Sequence, residues 1–356
     1  MKLYNFEYFL DHIIGMKETA LEKSLDELNE NVDSFLIDKK KGKRRIYYIN
    51  NPDLKIKEVQ KNLLKNFLYK IPISPVANGF SKGGSYNKSL SAHIGAKYFM
   101  HIDIKNFFGS ITEEQVKNSL KEYIGEDEES QKILEDIIRI CMYEEDNKNV
   151  LPTGYMTSPA ISNIIFRRID QCILKYCQSI KIGGKQDIIC YTRYADDLLF
   201  SSPKLDFGKQ IFFYNKINYI LRTRGFNSNK KKTIISEDKI VLNGFVIGED
   251  LHLSNSKMHN INKLIFYFDK RQKIQSKFVI DQERVKDNEI VKHVNGELKL
   301  KNKEFKNKEE IIQYLCGYRS FFISIIKANS KKNDNIQSLT RKVRKIESII
   351  DALNIQ

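Results

Sequence analysis

Two adjacent carboxylates, Asp196 and Asp197, lie within residues 188–202, between two short apolar runs with the β-branched, aromatic and leucine content of buried strands. The pattern predicts a β-hairpin with the acids at its turn. An isolated Asp-Asp pair is ordinarily a solvated turn, but both flanks are too apolar for a surface tip. Neighbouring carboxylates repel, so a cation is expected beside them. A third acid, Asp103, closes the strand pattern 98–103, and Thr112 followed by Glu113 and Glu114 supplies the N-cap and acidic first turn of a helix. An aspartate at a strand-to-helix junction needs a partner, and the 196/197 pair with its cation is the candidate. Three carboxylates on two strands form the donor set of a two-metal site for nucleotidyl transfer. One Mg²⁺ lowers the pKa of the attacking hydroxyl, a second neutralises the triphosphate and the departing pyrophosphate, and the ions sit about 4 Å apart. Mg²⁺, with Mn²⁺ as the substitute ion, takes oxygen ligands and keeps waters, so neither His nor Cys is required.

The elements that must position these groups follow from the periodicity. Residues 1–35 read as two short helices broken near Gly15. The basic run 39–45 reads as a turn leading into a strand at 46–49, stopped by Asn50, Asn51 and Pro52. Such a run is a solvated loop or one arm of a basic hairpin that clamps a triphosphate, and both readings stand. Residues 53–69 predict an amphipathic helix. The turn-rich segment 71–85 carries glycines that permit close approach to a phosphate or base, or plain flexibility. His93 is expected to be structural. Further helices are expected at about 113–124 and at 131–142, separated by an acidic linker at 125–130. A proline-bounded turn at 151–159 opens another through Ile161 to Leu174, and 208–224 gives one more. Residues 225–235 form a turn into a strand, and 241–247 a strand pair or hairpin arm. The stretch 256–356 reads as helical and basic, interrupted by a polar segment near 281–308.

A chain of 356 residues holds one large or two to three smaller domains. No apolar run approaches the roughly 18 residues that span a bilayer, and the first residues lack the apolar core of a signal peptide, so a cytoplasmic protein without a membrane partner is expected. Five cysteines without Cys-x-x-Cys spacing point to reduced, packed thiols. The net charge of +15 points to an acidic partner, nucleic acid before membrane. Residues 256–356 hold 22 Lys plus Arg against 12 Asp plus Glu, so +10 of that charge sits in the last hundred residues.

Taken together, the motifs resemble those of bacterial retron-type reverse transcriptases, in that family's order. Residues 102–111 (Ile-Asp-Ile-Lys-Asn-Phe-Phe-Gly-Ser-Ile) match its catalytic strand, 151–159 (Leu-Pro-Thr-Gly-Tyr-Met-Thr-Ser-Pro) its template and nucleotide loop, and 191–197 (Tyr-Thr-Arg-Tyr-Ala-Asp-Asp) its catalytic hairpin. Residues 225–233 (Gly-Phe-Asn-Ser-Asn-Lys-Lys-Lys-Thr) and 242–247 (Leu-Asn-Gly-Phe-Val-Ile) are similar to its lysine motif and primer grip. The resemblance implies an α+β right-hand polymerase: N-terminal helices and fingers over 1–100, a palm over 101–250 with some finger elements inserted, and a basic helical thumb over 251–356. It implies an RNA-directed DNA polymerase, with Asp103, Asp196 and Asp197 as catalytic metal ligands and Lys232 as the proton donor to pyrophosphate. Lys43, Arg44 and Arg45 would hold the triphosphate, Phe108 would exclude a ribonucleotide's 2′-hydroxyl, and Gly154 would let its loop pack on the incoming base pair. Asn243, Gly244 and Arg319 would contact template and primer.

The family's Asn-Ala-x-x-His appears as Ser-Leu-Ser-Ala-His at 89–93, its Val-Thr-Gly as Leu242-Asn243-Gly244, and its loop Gln as Thr153. Ser89 and Asn243 therefore leave open another defence-associated reverse transcriptase or a template-independent polymerase. An RNA-dependent RNA polymerase and a catalytically silent RNA-binding scaffold are the remaining alternatives. The retron reading implies a structured non-coding RNA as template and primer, dNTPs, an RNA-linked DNA product (msDNA) and an effector protein in antiphage defence.

Overall fold

Residues 98–103 and 197–202, each buried along nearly its whole length, become neighbouring central strands of a sheet. The computed structural model describes residues 2–38, 43–145, 148–182, 184–186, 188–277, 287–300, 303–329 and 334–355. Its helices and antiparallel sheets give the expected α+β class. The chain forms two compact units, Met1–Ser89 with Tyr98–Ser236, and Leu90–Lys97 with Glu237–Gln356.

The first unit begins with α1 (Phe6–Tyr8), which runs into a π-helical turn, and α2 (Glu18–Asp26). An antiparallel hairpin follows, β1 (Val32–Asp38) and β2 (Lys43–Ile49), then α3 (Ile56–Asn66) and α4 (Tyr86–Ser91). After β3 (Tyr98–Asp103) come α5 (Glu113–Leu120), α6 (Glu128–Cys141), the short hairpin β4 (Tyr143–Glu145) and β5 (Lys148–Val150), and α7 (Ser158–Ser179). The two-residue strands β6 (Lys181–Ile182) and β7 (Lys185–Gln186) lead to β8 (Cys190–Tyr194), β9 (Asp197–Ser202), α8 (Ile211–Arg222) and β10 (Ile234–Glu237). The central sheet has the order β10-β3-β9-β8. Its backing helix is α7: Pro159 in the first turn starts it without losing a needed donor. Ile161, Ile165, Phe166, Ile169 and Ile173 are all buried along it.

The second unit contains a three-stranded meander, β11 (Ile240–Leu242), β12 (Phe245–Ile247) and β13 (Leu251–Leu253). Four helices follow: α9 (Asn255–Lys277), α10 (Asp287–Leu298), α11 (Lys308–Ala328) and α12 (Asp334–Ile355). His93 is buried here, and burial pushes its pKa down to about 3, so the ring is neutral. Among the described residues no helix is long and apolar enough to cross a membrane.

Several boundaries differ from the sequence expectation. The segment 128–130 is the first turn of α6, because the Asp127 side chain accepts from the Ser130 amide and caps the helix there. Lys43, Arg44 and Arg45 are strand rather than turn, paired with Asp38, Ile37 and Leu36 of β1; residues 39–42 lie outside the described set. The polar stretch 281–308 contains α10, which buries Ile290, Val291 and Val294. Residues 281–286, 301 and 302 of that stretch lie outside the described set.

Candidate active site

The hairpin at 190–202 is built as its two apolar arms require. Tyr194 pairs with Asp197, leaving Ala195 and Asp196 as a two-residue turn. Ala195 has φ +55°, a left-handed conformation that costs a non-glycine residue about 1 kcal/mol or more. Three contacts hold it there. Arg193 Nη1 donates to the Ala195 carbonyl at 3.3 Å, and the Ile104 amide donates to the Asp196 carbonyl at 3.0 Å. Gly79 packs so closely that a Cβ would lie 2.6 Å from the Ala195 nitrogen.

Arg193 is fully buried and is the anchor of the turn. Its guanidinium is paired with both carboxylate oxygens of Asp170, donates to Asn163 Oδ1 at 3.0 Å, and stacks 4.7 Å from the Phe166 ring centre. Tyr191 donates to the same Asp170 at 2.8 Å. All three partners lie on α7, so the backing helix carries the polar keys that fix the hairpin. A buried ion pair satisfied in this way becomes strongly destabilising once one partner is removed.

Register brings the three acids together. Asp103 ends β3 directly opposite Asp197 on β9, and Asp196 immediately precedes Asp197 in the turn. Asp196's carboxyl is pushed above its ordinary range, first by burial, then by the charges of Asp197 and Asp103; Arg44 partly offsets this. Lys232 Nζ donates to Asp103 Oδ1 at 2.7 Å. The loop carrying it is pinned to β3 by the Asn229 amide on the Asp103 carbonyl, at 2.7 Å, and by the Lys105 amide on the Asn227 carbonyl, at 2.8 Å. His101 Nε2 lies 2.8 Å from Asp197 Oδ1, the geometry of a ring N–H donating to a carboxylate.

The flanking groups divide. Side chains alternate along β2, and Arg45 Nη1 donates to Glu145 Oε1 at 2.7 Å while Arg44 is the member whose charge reaches Asp196. Lys43 is exposed at the start of the strand. Phe108 is half-buried, edge-on to Phe107 at 5.2 Å and 6.4 Å from Phe80, which lies 6.4 Å from Tyr194. Gly154 has φ +128°, and a Cβ there would meet the Tyr47 carbonyl at 2.2 Å. The loop is thereby zipped to β2, with the Tyr47 amide donating to the Thr153 carbonyl at 2.8 Å. Ser89 donates to Thr192 Oγ1 at 2.9 Å, tying α4 to β8.

Asn243, Gly244 and Arg319 belong to the second unit. Asn243 and Gly244, with φ +50° and +84°, are the two-residue turn between β11 and β12, the dipeptide such turns favour. Arg319 Nε donates to Glu347 Oε1 at 2.7 Å, joining α11 to α12.

The structure thus gathers Asp103, Asp196, Asp197, Lys232 and Arg44. Sequence reading missed Arg193, Asp170, Asn163, His101, Gly79 and Phe80. The available signal was Arg193 within an apolar strand, since a charge at such a position must be paired.

Among the described residues no three His, Cys, Asp or Glu side chains form a ready-made metal cage. The donor chemistry nevertheless fits a hard divalent cation. The set is all carboxylate oxygen, the mutual repulsion is visible at Asp196, and Mg²⁺ characteristically completes its shell with water and substrate phosphate.

Residues 37–274 match the family described as reverse transcriptase (RNA-dependent DNA polymerase). The chain is 31% identical over 218 residues to the retron Ec86 reverse transcriptase of Escherichia coli, covering 61% of this chain and 63% of that one, just under two thirds of the relative's length. It is 32% identical over 227 residues to the retron Ec73 reverse transcriptase of Escherichia coli, covering 61% and 69%. Among solved structures, the Candida albicans telomerase in complex with a telomeric RNA fragment aligns over 94% of this chain and 68% of that one, with a TM-score of 0.43 and 13% identity.

Proposed function

This chain belongs to the reverse transcriptase (RNA-dependent DNA polymerase) family, and from that premise we propose that it is an RNA-directed DNA polymerase of the retron type. The observation that carries the reading is the β3–β9 register, which sets Asp103 against Asp197 with Asp196 in the adjoining turn. In this reading the first unit supplies fingers and palm, and the basic helices of the second supply the thumb.

Asp103, Asp196 and Asp197 would hold the divalent ions, which when bound supply Lewis-acid activation of the primer hydroxyl and neutralisation of phosphate charge. Lys232, whose Nζ donates to Asp103 Oδ1, would protonate the departing pyrophosphate. Arg44 binds triphosphate oxygens from the β1–β2 hairpin, and Lys43 extends that basic edge. Arg45 acts by fastening the hairpin to Glu145. Phe108 lies under the sugar and excludes a 2′-hydroxyl. Asn243, Gly244 and Arg319 contribute to the grip on template and primer. The similarity to two retron enzymes supports a structured non-coding RNA as template and primer, an msDNA product and a role beside an effector in antiphage defence.

Primer extension on an RNA template tests the polymerase reading. Wild type should use dNTPs in preference to NTPs, and Phe108→Ala should lose roughly 10- to 100-fold of that preference. An unchanged preference would remove Phe108 from sugar selection. Sequencing the nucleic acid that co-purifies with the protein tests the retron reading: a branched RNA-DNA species supports it, and RNA alone or a homopolymer contradicts it.

A further inference from the structure

A groove of about 810 Å³ opens between the N-terminal turn at Asn5, Phe6 and Glu7 and helices α2 and α6. It shares no residue with the carboxylate hairpin. Six carboxylates line it, Glu7, Glu22, Glu128, Glu129, Glu135 and Asp136, against the two cations Lys132 and Arg139. That balance opposes the chain's net charge of +15.

Both cations are engaged. Arg139 donates to Glu22 and Asp26, and Lys132 pairs with Glu18 and lies 4.3 Å from the centre of the Phe6 ring. Glu129 accepts from the Phe6 amide. Glu7, Glu128, Glu135 and Asp136 form no ion pair with another described residue. The helix dipole accounts for acids in the first turn of α6, which covers Glu128 and Glu129 but leaves Glu135 and Asp136 unexplained. Asp136 is 3% exposed, yet its Oδ2 has no hydrogen-bond partner. A buried carboxylate oxygen in that state is unfavourable unless it takes up a proton or a cation reaches it. Burial, followed by the charge of Glu22, pushes the Asp136 carboxyl up to about 6.

We propose that this groove binds a cationic polypeptide segment, whose lysine or arginine side chains neutralise Asp136 and the flanking Glu128 and Glu135. Lys132, held between the Phe6 ring and Glu18, shows that this surface accepts an ammonium group. The volume is many times that of one ion. An open groove with separated carboxylates suits several cations borne on one chain.

The test uses the full chain, freed of nucleic acid, and a hexa-arginine peptide carrying a neutral fluorophore. Binding is followed by anisotropy at about 100 mM salt, where remote charges are screened beyond roughly 10 Å. Saturable binding to wild type is expected, weakened roughly tenfold by Asp136→Asn and by the pair Glu128→Gln and Glu135→Gln. Primer extension should be unchanged in these variants, so failure of this proposal leaves the polymerase reading standing. Asp136→Asn should also raise the thermal midpoint of the peptide-free protein, because it removes a buried charge. A lowered midpoint would identify a structural carboxylate and overturn the proposal. So would equal affinity across the variants, or displacement of the peptide by equimolar MgCl₂.

Discussion

At the hairpin, Asp103 faces Lys232 at 2.7 Å and Asp197 faces His101 at 2.8 Å, whereas Glu128, Glu135 and Asp136 in the N-terminal groove form no ion pair among the described residues, and Asp136 feels Lys132 and Arg139 only through their more distant charge. Both regions crowd negative charge into a basic protein, and the countercharge comes from different places. The hairpin's acids are fixed by strand register and by a turn keyed to α7. The groove's acids sit on helix surfaces, and the most buried of them is left with a free oxygen. A pre-built site with displaceable internal partners suits a substrate that comes and goes. An unbalanced one suits a partner that stays.

The strongest way to break this contrast is to remove the key. Arg193→Ala leaves Asp170 buried and unpaired and should cost about 3–5 kcal/mol of stability, read from urea denaturation. A loss below about 1 kcal/mol would mean that α7 does not hold the turn. A smaller effect is expected at the β1–β2 hairpin. Gly154→Ala drives a Cβ into the Tyr47 carbonyl and should cost about 1–3 kcal/mol, while Arg45→Ala, exposed at that same hairpin, should cost less than about 1 kcal/mol.

The smallest effect sharpens the groove side of the comparison. Asp136 has a folded-state pKa raised to about 6, so the folded chain holds its proton more tightly than the unfolded one. Its contribution is fully present below about pH 4 and is lost as pH rises through about 6. Glu18 and Glu22 from α2 and Lys132 and Arg139 from α6 are the charges acting on it. Asp136→Asn should therefore flatten the fall of the thermal midpoint between those pH values. An unaltered slope would show that Asp136 does not titrate there.

The strands and the triad were legible because their physics is local. Apolar runs on both sides of Asp196 and Asp197 specify a buried hairpin, and the acidic, Thr-capped helix start fixes where β3 must end. What could not be read is nonlocal. Arg193, a charge within an apolar strand, signals that it needs a partner but not which one, since Asp170 and Asn163 lie 23 and 30 residues away on a helix. Gly79 looks like a loop glycine until the nitrogen of Ala195 lies against it. Strand β1 was hidden because Phe35, Leu36 and Ile37 stand consecutively and all are exposed, so no apolar and polar alternation marks it. Helix α10 was masked by the charged residues around its three buried aliphatic positions.

The central claim is that Asp103, Asp196 and Asp197 act together on the substrate. The direct measurement is primer extension by the Asp196→Asn plus Asp197→Asn variant, which preserves side-chain shape and relieves the repulsion felt at Asp196. Extension at background level with an unchanged or raised thermal midpoint is the predicted result, and extension at the wild-type rate would contradict it.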